Sequence, residues 1–356
     1  MNSTKLKILL LADAGSFHTE RFLNETKRQG CETILASLEQ GIDESITLQR
    51  KGFIKQFHYR FAVPEIKALI RKFQPDIISA HFASGYGHIA ALANKSFGIP
   101  IALNLWGSDI LIVPQKSIFH KQKTKYALKH ADYIFADSQY LIDSAKKIYP
   151  FTKSAVITWG VEKELLYFKN NIPGHSTPLK IIIPRAHEHV YNNLFIVESL
   201  QELIRTDKIQ LTFPSFGSLY ESFKEASSSL VDEKIRYYQK TERINFMKLV
   251  AEHDFYLSAS LSDSSPVSLI EAMAIGLIPI VHKIDGVKEW VSKENCFLFE
   301  NNANSLQKCL RHILDSLNNF SKIIKQNKER VKNSALFEEN ISTQLTIFRK
   351  MIKVKK

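Results

Sequence analysis

Glycine and cysteine are both scarce in this chain, and each scarcity removes a class of function. Only 13 of the 356 residues are glycine. The first strand-end loop, Asp13 to Thr19, holds a single one, Gly15. A dinucleotide fingerprint needs a spaced glycine triplet so that the backbone can approach a pyrophosphate. No glycine-rich loop ends in Lys-Ser or Lys-Thr, so a P-loop is missing too. The three cysteines, Cys31, Cys296 and Cys309, stand far apart with no CxxC pair. An odd, scattered set argues against a disulfide framework and against a zinc site, and favours buried thiols in a reducing cytosol. HExxH, the deaminase zinc signature and GxSxG are absent as well, which counts against zinc and serine hydrolases. Long apolar runs are also missing. Ile8–Ala12 is too short for a signal peptide and ends at Asp13 without a cleavage site. Nothing approaches the roughly 18 apolar residues of a membrane span. The expectation is a cytoplasmic protein, at most peripheral at the inner face of the membrane.

What is present is ordinary globular composition, with 44% hydrophobic and 24% charged residues. The length suits two domains of about 150 residues each. The formal charge is +12. Residues 1–169 carry 23 Lys and Arg against 15 Asp and Glu, and residues 170–356 carry 25 against 21. The excess therefore lies mainly in the first half. An anionic membrane face or a phosphorylated substrate would explain it, as would compositional drift towards Lys. Nucleic acid is not expected, because no recognition motif accompanies the basicity.

Short apolar strands alternate with amphipathic helices along the whole chain, the pattern of a parallel sheet covered on both faces. The alternation lapses once, at Tyr167–Pro178, into Asn, Pro, Gly, Ser and Thr. We therefore expect an α/β protein with domains at 1–168 and 178–335, and a C-terminal helix at 336–356 that packs back toward the first domain. Ligands of such sheets bind outside the carboxyl ends of the strands. The residues to watch follow each strand: Asp13–His18, with Gly15, Ser16 and His18; His81–Tyr86; Trp106–Asp109; Asp137–Ser138; Trp159–Val161; Arg185–His189; Ser215–Gly217; and Ser258–Pro266.

The strongest local signal lies between Asp263 and Pro279, where Asp-Ser-Ser-Pro-Val-Ser-Leu-Ile leads into Glu271-Ala-Met-Ala and then Ile-Gly-Leu-Ile-Pro. Asp263 stands in a strand-end loop, Pro266 suits a first helical turn, and Glu271 falls one to two turns inside. Two acids placed so can point into one cleft, where carboxylates accept hydrogen bonds from the hydroxyls of a ribose or hexose. The helix start near Ser264, Ser265, Val267 and Ser268 offers N–H groups and a positive dipole end to a phosphate. The competing reading makes Asp263 a helix cap and Glu271 a solvated surface residue. Arg185 is suited to a diphosphate, since its planar fork binds phosphate bidentately; its competing reading is a surface salt bridge.

These residues resemble the donor signature of the family-4 retaining glycosyltransferases, whose fold is GT-B. That motif is Glu, seven residues, then Glu-Ala-Met-Ala; here Asp263 replaces the first Glu and the spacing is kept. The intervening Gly-Phe-Gly of the family is here Ser264, Ser265 and Pro266, and Pro266 has no N–H to offer. The resemblance covers nearly the whole chain, loosely at the start and tightly over 254–299. The opening loop with Ser16 and His18, the strand Asp76–His81, the run Trp106–Asp109, the stretch Asp132–Ser138 and the run Trp159–Glu162 each resemble a family segment, the last with both polar ends altered. Trp106 stands where the family has His, and Val190 where it has a phosphate-gripping Lys; His189, Tyr191 and Asn192 lie where compensation could come from.

The resemblance implies two Rossmann-like domains facing across a cleft and transfer with retention from a nucleotide-sugar, UDP- or GDP-linked. It assigns Glu271 to the nucleotide ribose, Asp263 to the sugar and Arg185 to the diphosphate, with Ser264, Ser265, Val267, Ser268, Gly217 and Asn192 as further donor contacts. Gly15, Ser16, His18, His81, Trp106, Asp109 and Ser138 fall to the acceptor side. No metal and no resident cofactor are implied. A saccharide or lipid-linked acceptor points to cell-surface polysaccharide, lipopolysaccharide or glycoprotein assembly. Aromatic residues interleave with cations at Lys116–Lys129 and at Phe57–Phe61 with His58 and Arg60, as at an anionic membrane leaflet, or equally on a solvated face. A catalytically impaired GT-B scaffold and a sugar-nucleotide epimerase are the alternatives.

Overall fold

The structure, a computed structural model, describes residues 5–49, 59, 61–168, 178–228, 234–315 and 320–355. The greater part of the candidate linker Tyr167–Pro178 and the residues Phe57, His58 and Arg60 lie outside the described residues. The chain forms two compact units, Met1–Thr158 with Glu338–Lys356, and Trp159–Phe337.

The first unit carries a parallel sheet of β1 (Lys7–Leu11), β2 (Glu32–Ser37), β3 (Ile46–Thr47), β4 (Ile77–His81), β5 (Ile101–Asn104), β6 (Tyr133–Ala136) and β7 (Ser154–Val156). Their order is β3-β2-β1-β4-β5-β6-β7. Ile8 to Leu11 are fully buried, as is all of β4. Such unbroken apolar runs form strands because helices cover both faces of the sheet. The strand order reverses between β1 and β4, so the loops after those two strands open at a topological switch point. The two-residue strand β3 escaped the sequence pattern. So did the π-helical turn Phe82–Gly87, which continues directly into the helix His88–Asn94.

The second unit repeats the plan with β8 (Leu179–Ile182), β9 (Ile209–Pro214), β10 (Ile235–Tyr238), β11 (Phe255–Ser258), β12 (Ile278–His282) and β13 (Phe297–Phe299), in the order β10-β9-β8-β11-β12-β13. The reversal here lies between β8 and β11. It places the loops carrying Arg185 and Asp263 side by side, and they diverge from paired strands in which Ile182 faces Tyr256. After β12 the chain makes a 3-10 turn, Asp285–Val287.

The second unit begins earlier than the composition suggested. Val161 and Leu165 are buried with Met247, Ala272, Ile275 and Ala335 in its core. Val161 N donates to Ala335 O at 2.8 Å, and Phe337 N donates back to Val161 O at 3.0 Å. Gly160, at φ +58, fits there because a Cβ would stand 2.4 Å from Ala335 O. The packing of the second unit therefore starts at Trp159, ahead of the polar lapse after Tyr167. The last helix, Phe337–Lys355, belongs to the first unit from Glu338 on. There Phe348 meets Phe135 edge to face at 5.6 Å, and Gln344 Nε2 donates to Asn104 Oδ1 at 2.6 Å.

Candidate functional site

The helix Val267–Ile275 starts after Pro266 and stops at Gly276, whose φ of 108 and N–H to Ala272 O close it. Every residue from Leu269 to Ile275 is buried, and Glu271 is the single charged side chain among them, 7% exposed. A solvated Glu271 is thereby overturned. An ionised carboxylate at that depth requires a cation. Arg243, the first residue of the helix Arg243–Ala251, supplies it through Nη1 to Glu271 Oε1 at 2.7 Å. The same guanidinium donates from Nε to Glu162 Oε1 at 3.0 Å and from Nη2 to Glu162 Oε2. Burial works to lower the Arg243 pKa, but the two carboxylates outweigh it and hold the group above its ordinary value. Burial, reinforced by the Glu271 charge, pushes the Tyr238 phenol upward. Arg243 was not found from the sequence. The available signal was a lone acid inside an apolar helix, which demands a cation from another segment.

Arg185 follows β8, and its backbone carbonyl is held by Asn193 Nδ2 at 2.9 Å. Its guanidinium lies over the Tyr191 ring, 4.6 Å from the centroid, and Nη2 donates to Asp263 Oδ2. Asp263 Oδ1 accepts from Ser264 N at 3.0 Å. The two side chains are only 14% and 18% exposed, so this is no loose surface bridge. Arg185 Nε is buried with no hydrogen-bond partner. Gly286 lies against the Asp263 carbonyl so closely that a Cβ would stand 1.9 Å from it. Sequence reasoning named Arg185 and Asp263 separately; the fold joins them.

The other donor-side residues divide. Val267 and Ser268 occupy the first helical turn and are half-buried, with Ser268 Oγ 3.1 Å from Tyr256 OH. Ser264 and Ser265 are buried, and the Ser265 hydroxyl accepts from Trp290 Nε1 at 2.8 Å, which commits it to packing. Gly217, at φ +128, allows two loops to touch, because a Cβ would stand 2.3 Å from His187 N. Asn192 takes a left-handed conformation at φ 54. Val190 offers its carbonyl to Leu261 N at 2.8 Å. A pocket of about 330 Å³ opens beside this loop, lined by His187, His189, Asn192, Asn193, Leu219 and Phe223.

In the first unit, His81 ends β4 fully buried, and burial pushes its pKa down to about 3. The Trp106 ring stacks on Phe82 at 5.2 Å and 7°, and sits 5.5 Å from both His81 and His18. Phe82 itself has φ 66, a strained conformation for a bulky residue, of the kind that gathers at functional sites. Asp109 is 1% exposed and accepts from Ala83 N at 2.7 Å and Trp106 N at 2.9 Å, bracing that platform. Burial pushes its carboxyl up to about 6, against the pull of the backbone amides. Ser138 is fully buried and caps the helix Gln139–Lys146 by accepting from Leu141 N. Gly15 N donates to Asp13 Oδ1 at 2.8 Å, and Ser16 stands at the start of the helix Phe17–Arg28. Among the described residues, no group of His, Cys, Asp and Glu could hold a metal ion, and no helix is long and apolar enough to cross a membrane.

Residues 7–138 match the family described as glycosyl transferase 4-like, and residues 171–330 match glycosyl transferases group 1. A protein of Bacillus subtilis (strain 168) with the provisional name teichuronic acid biosynthesis glycosyltransferase TuaC is 26% identical over 69% of this chain and 63% of its own length. The chain spans less than two thirds of the curated relatives it matches. Among solved structures, sucrose-phosphate synthase from Thermosynechococcus elongatus superposes with a TM-score of 0.83 at 13% identity, over 98% of this chain and 100% of that one. Anabaena HepE in complex with UDP and glucose gives 0.80 at 14% identity, over 97% and 99%. The fold of the two Rossmann-like units is GT-B.

Proposed function

We propose that this chain, which matches glycosyltransferase family models over residues 7–138 and 171–330, moves a sugar from a nucleotide-sugar to a saccharide or lipid-linked acceptor with retention. The observation that supports this most is the convergence of Arg185 and Asp263 at the switch point of the second sheet, with Glu271 on the helix that follows. Anabaena HepE, of the same fold, was solved with UDP-glucose, which fits a UDP-sugar donor.

The geometry suggests an exchange of partners. The donor diphosphate replaces the Asp263 carboxylate on the Arg185 fork, since phosphate and carboxylate compete for one planar site. Asp263, released, accepts hydrogen bonds from sugar hydroxyls. As the glycosidic bond breaks, negative charge grows on the departing diphosphate. Arg185 and the N–H groups at the start of Val267–Ile275 lie ready to stabilise it. Glu271 holds the ribose. The nucleotide-sugar is substrate, and no resident cofactor enters the proposal.

Cell-surface polysaccharide, lipopolysaccharide or glycoprotein assembly is the setting proposed. Ile118 is 78% exposed and Phe119 52%, with Lys123 Nζ 4.5 Å from the Phe119 ring centroid, an arrangement suited to an anionic leaflet. Ile118→Glu should reduce sedimentation with phosphatidylglycerol vesicles at low salt; unchanged sedimentation removes the membrane role.

The test of function is release of nucleoside diphosphate from a panel of UDP-, GDP-, ADP- and CDP-sugars incubated with a membrane-lipid extract. Release with one donor, dependent on acceptor and lowered about 100-fold in Arg185→Ala, is the expected result. Conversion of the donor to an epimer or free sugar without acceptor would favour the epimerase reading, and no turnover at all a binding role.

A further inference from the structure

Three segments far apart in the sequence meet at one guanidinium. Arg243 is 28 residues from Glu271 and 81 from Glu162. All three of its nitrogens are used: Nε and Nη2 grip both oxygens of Glu162, and Nη1 holds one oxygen of Glu271. A bidentate grip fixes the plane of the guanidinium. With the plane fixed, the direction of Nη1 is fixed, and Oε1 of Glu271 has one place to be. The pairing is sheltered, with side-chain exposures of 24% for Arg243, 33% for Glu162 and 9% for Glu271. One cation between two carboxylates leaves a net negative charge, so the cluster stays an acceptor of hydrogen bonds.

We infer that Arg243, oriented by Glu162, is a positioning residue that sets Glu271 for the two ribose hydroxyls of the donor nucleotide and thereby selects ribonucleotides. The inference rests on the reading of Glu271 as the ribose ligand. A lysine could not do the same, because a point charge cannot grip Glu162 at two atoms while reaching Glu271 along a set direction. Pre-orientation matters because a carboxylate that must be ordered on binding loses part of its contact energy to that ordering.

The experiment is calorimetric titration of the full chain with UDP, GDP, ADP and CDP and with the 2′,3′-dideoxy form of each. Wild type should bind one ribonucleotide at least tenfold tighter than its dideoxy form, as expected for lost hydrogen bonds to a charged group. Arg243→Lys should weaken that ribonucleotide about tenfold and leave the dideoxy form unchanged, collapsing the preference. Glu162→Gln, which keeps the Arg243–Glu271 pair and guards against a misfolded variant, should narrow the preference about threefold. Equal weakening of both nucleotides in the two variants would mean that Arg243 merely supports the fold, and would overturn the inference. So would an unchanged preference, or a wild type that binds both forms alike. A wild type that binds no nucleoside diphosphate would overturn the donor-site reading itself, an outcome distinct from the others.

Discussion

If Asp263 and the donor diphosphate compete for Arg185, then weakening the acid must strengthen nucleotide binding while it slows transfer. Asp263→Asn is the perturbation. The asparagine keeps the shape and the hydrogen bond from Ser264 N but removes the charge facing the guanidinium. The pair is 14% and 18% exposed, between a surface bridge and a buried one. Its net worth should fall between those limits, at about 1–2 kcal/mol. Releasing Arg185 from that pairing should tighten a nucleoside diphosphate by roughly 5- to 30-fold. The stacking of Arg185 on Tyr191 should persist and keep the fork in place. Transfer should move the other way, because a neutral amide is a poorer acceptor for sugar hydroxyls near the reacting carbon. A loss of about 2 kcal/mol in the transition state is roughly 30-fold in rate. Titration of both proteins at fixed ionic strength, followed by a single-turnover measurement, separates the two effects. Binding that is unchanged or weaker in Asp263→Asn would refute the exchange of partners.

Other consequences follow from the packing and from the titrating groups. Gly286→Ala should destabilise the second unit by about 1–3 kcal/mol in urea unfolding, because the new methyl would meet the Asp263 carbonyl; wild-type stability would contradict that close approach. His81 and Asp109 should pull the pH dependence of stability in opposite directions. His81, near 3 when folded and about 6.5 unfolded, binds its proton mainly in the unfolded chain, so its contribution is lost as pH falls through that window. Asp109, near 6 when folded and about 3.9 unfolded, is protonated mainly in the folded chain, so its contribution is lost as pH rises from about 4 to 6. Between about pH 4 and 6 the two contributions nearly cancel, so Asp109→Asn should leave a rise of stability with pH and His81→Phe a fall, with slopes up to about 1.4 kcal/mol per pH unit. Parallel profiles for the two variants would show that burial does not govern these groups.

The repeating strand and helix grammar made the two sheets legible, because parallel strands covered on both faces must be continuous apolar runs such as Ile8–Leu11. The donor loop was legible for a related reason. Asp263, Pro266 and Gly276 mark a strand end, a helix start and a helix stop within one short stretch. What stayed hidden depends on contacts between distant segments. No local pattern ties Arg243 to Glu162, or Val161 to Ala335. The boundary was misplaced for this reason: a polar stretch is a local signal, while Val161 and Leu165 pack against distant segments. Asp109 and Ser138 stand at strand ends like ligand contacts, yet their partners are backbone amides. Strand-end position selects for both roles, and the hydrogen-bond partners separate them.

The most direct measurement is a thermal-shift comparison of wild type and Glu271→Ala with UDP, GDP, ADP and CDP. At about 100 times its dissociation constant, a ligand stabilises by about 2.7 kcal/mol, a shift of a few degrees. A donor site built on Glu271 should give that shift with one nucleoside diphosphate in wild type, and little or none in the variant. A shift of equal size in Glu271→Ala, or none with any nucleotide in wild type, would contradict it.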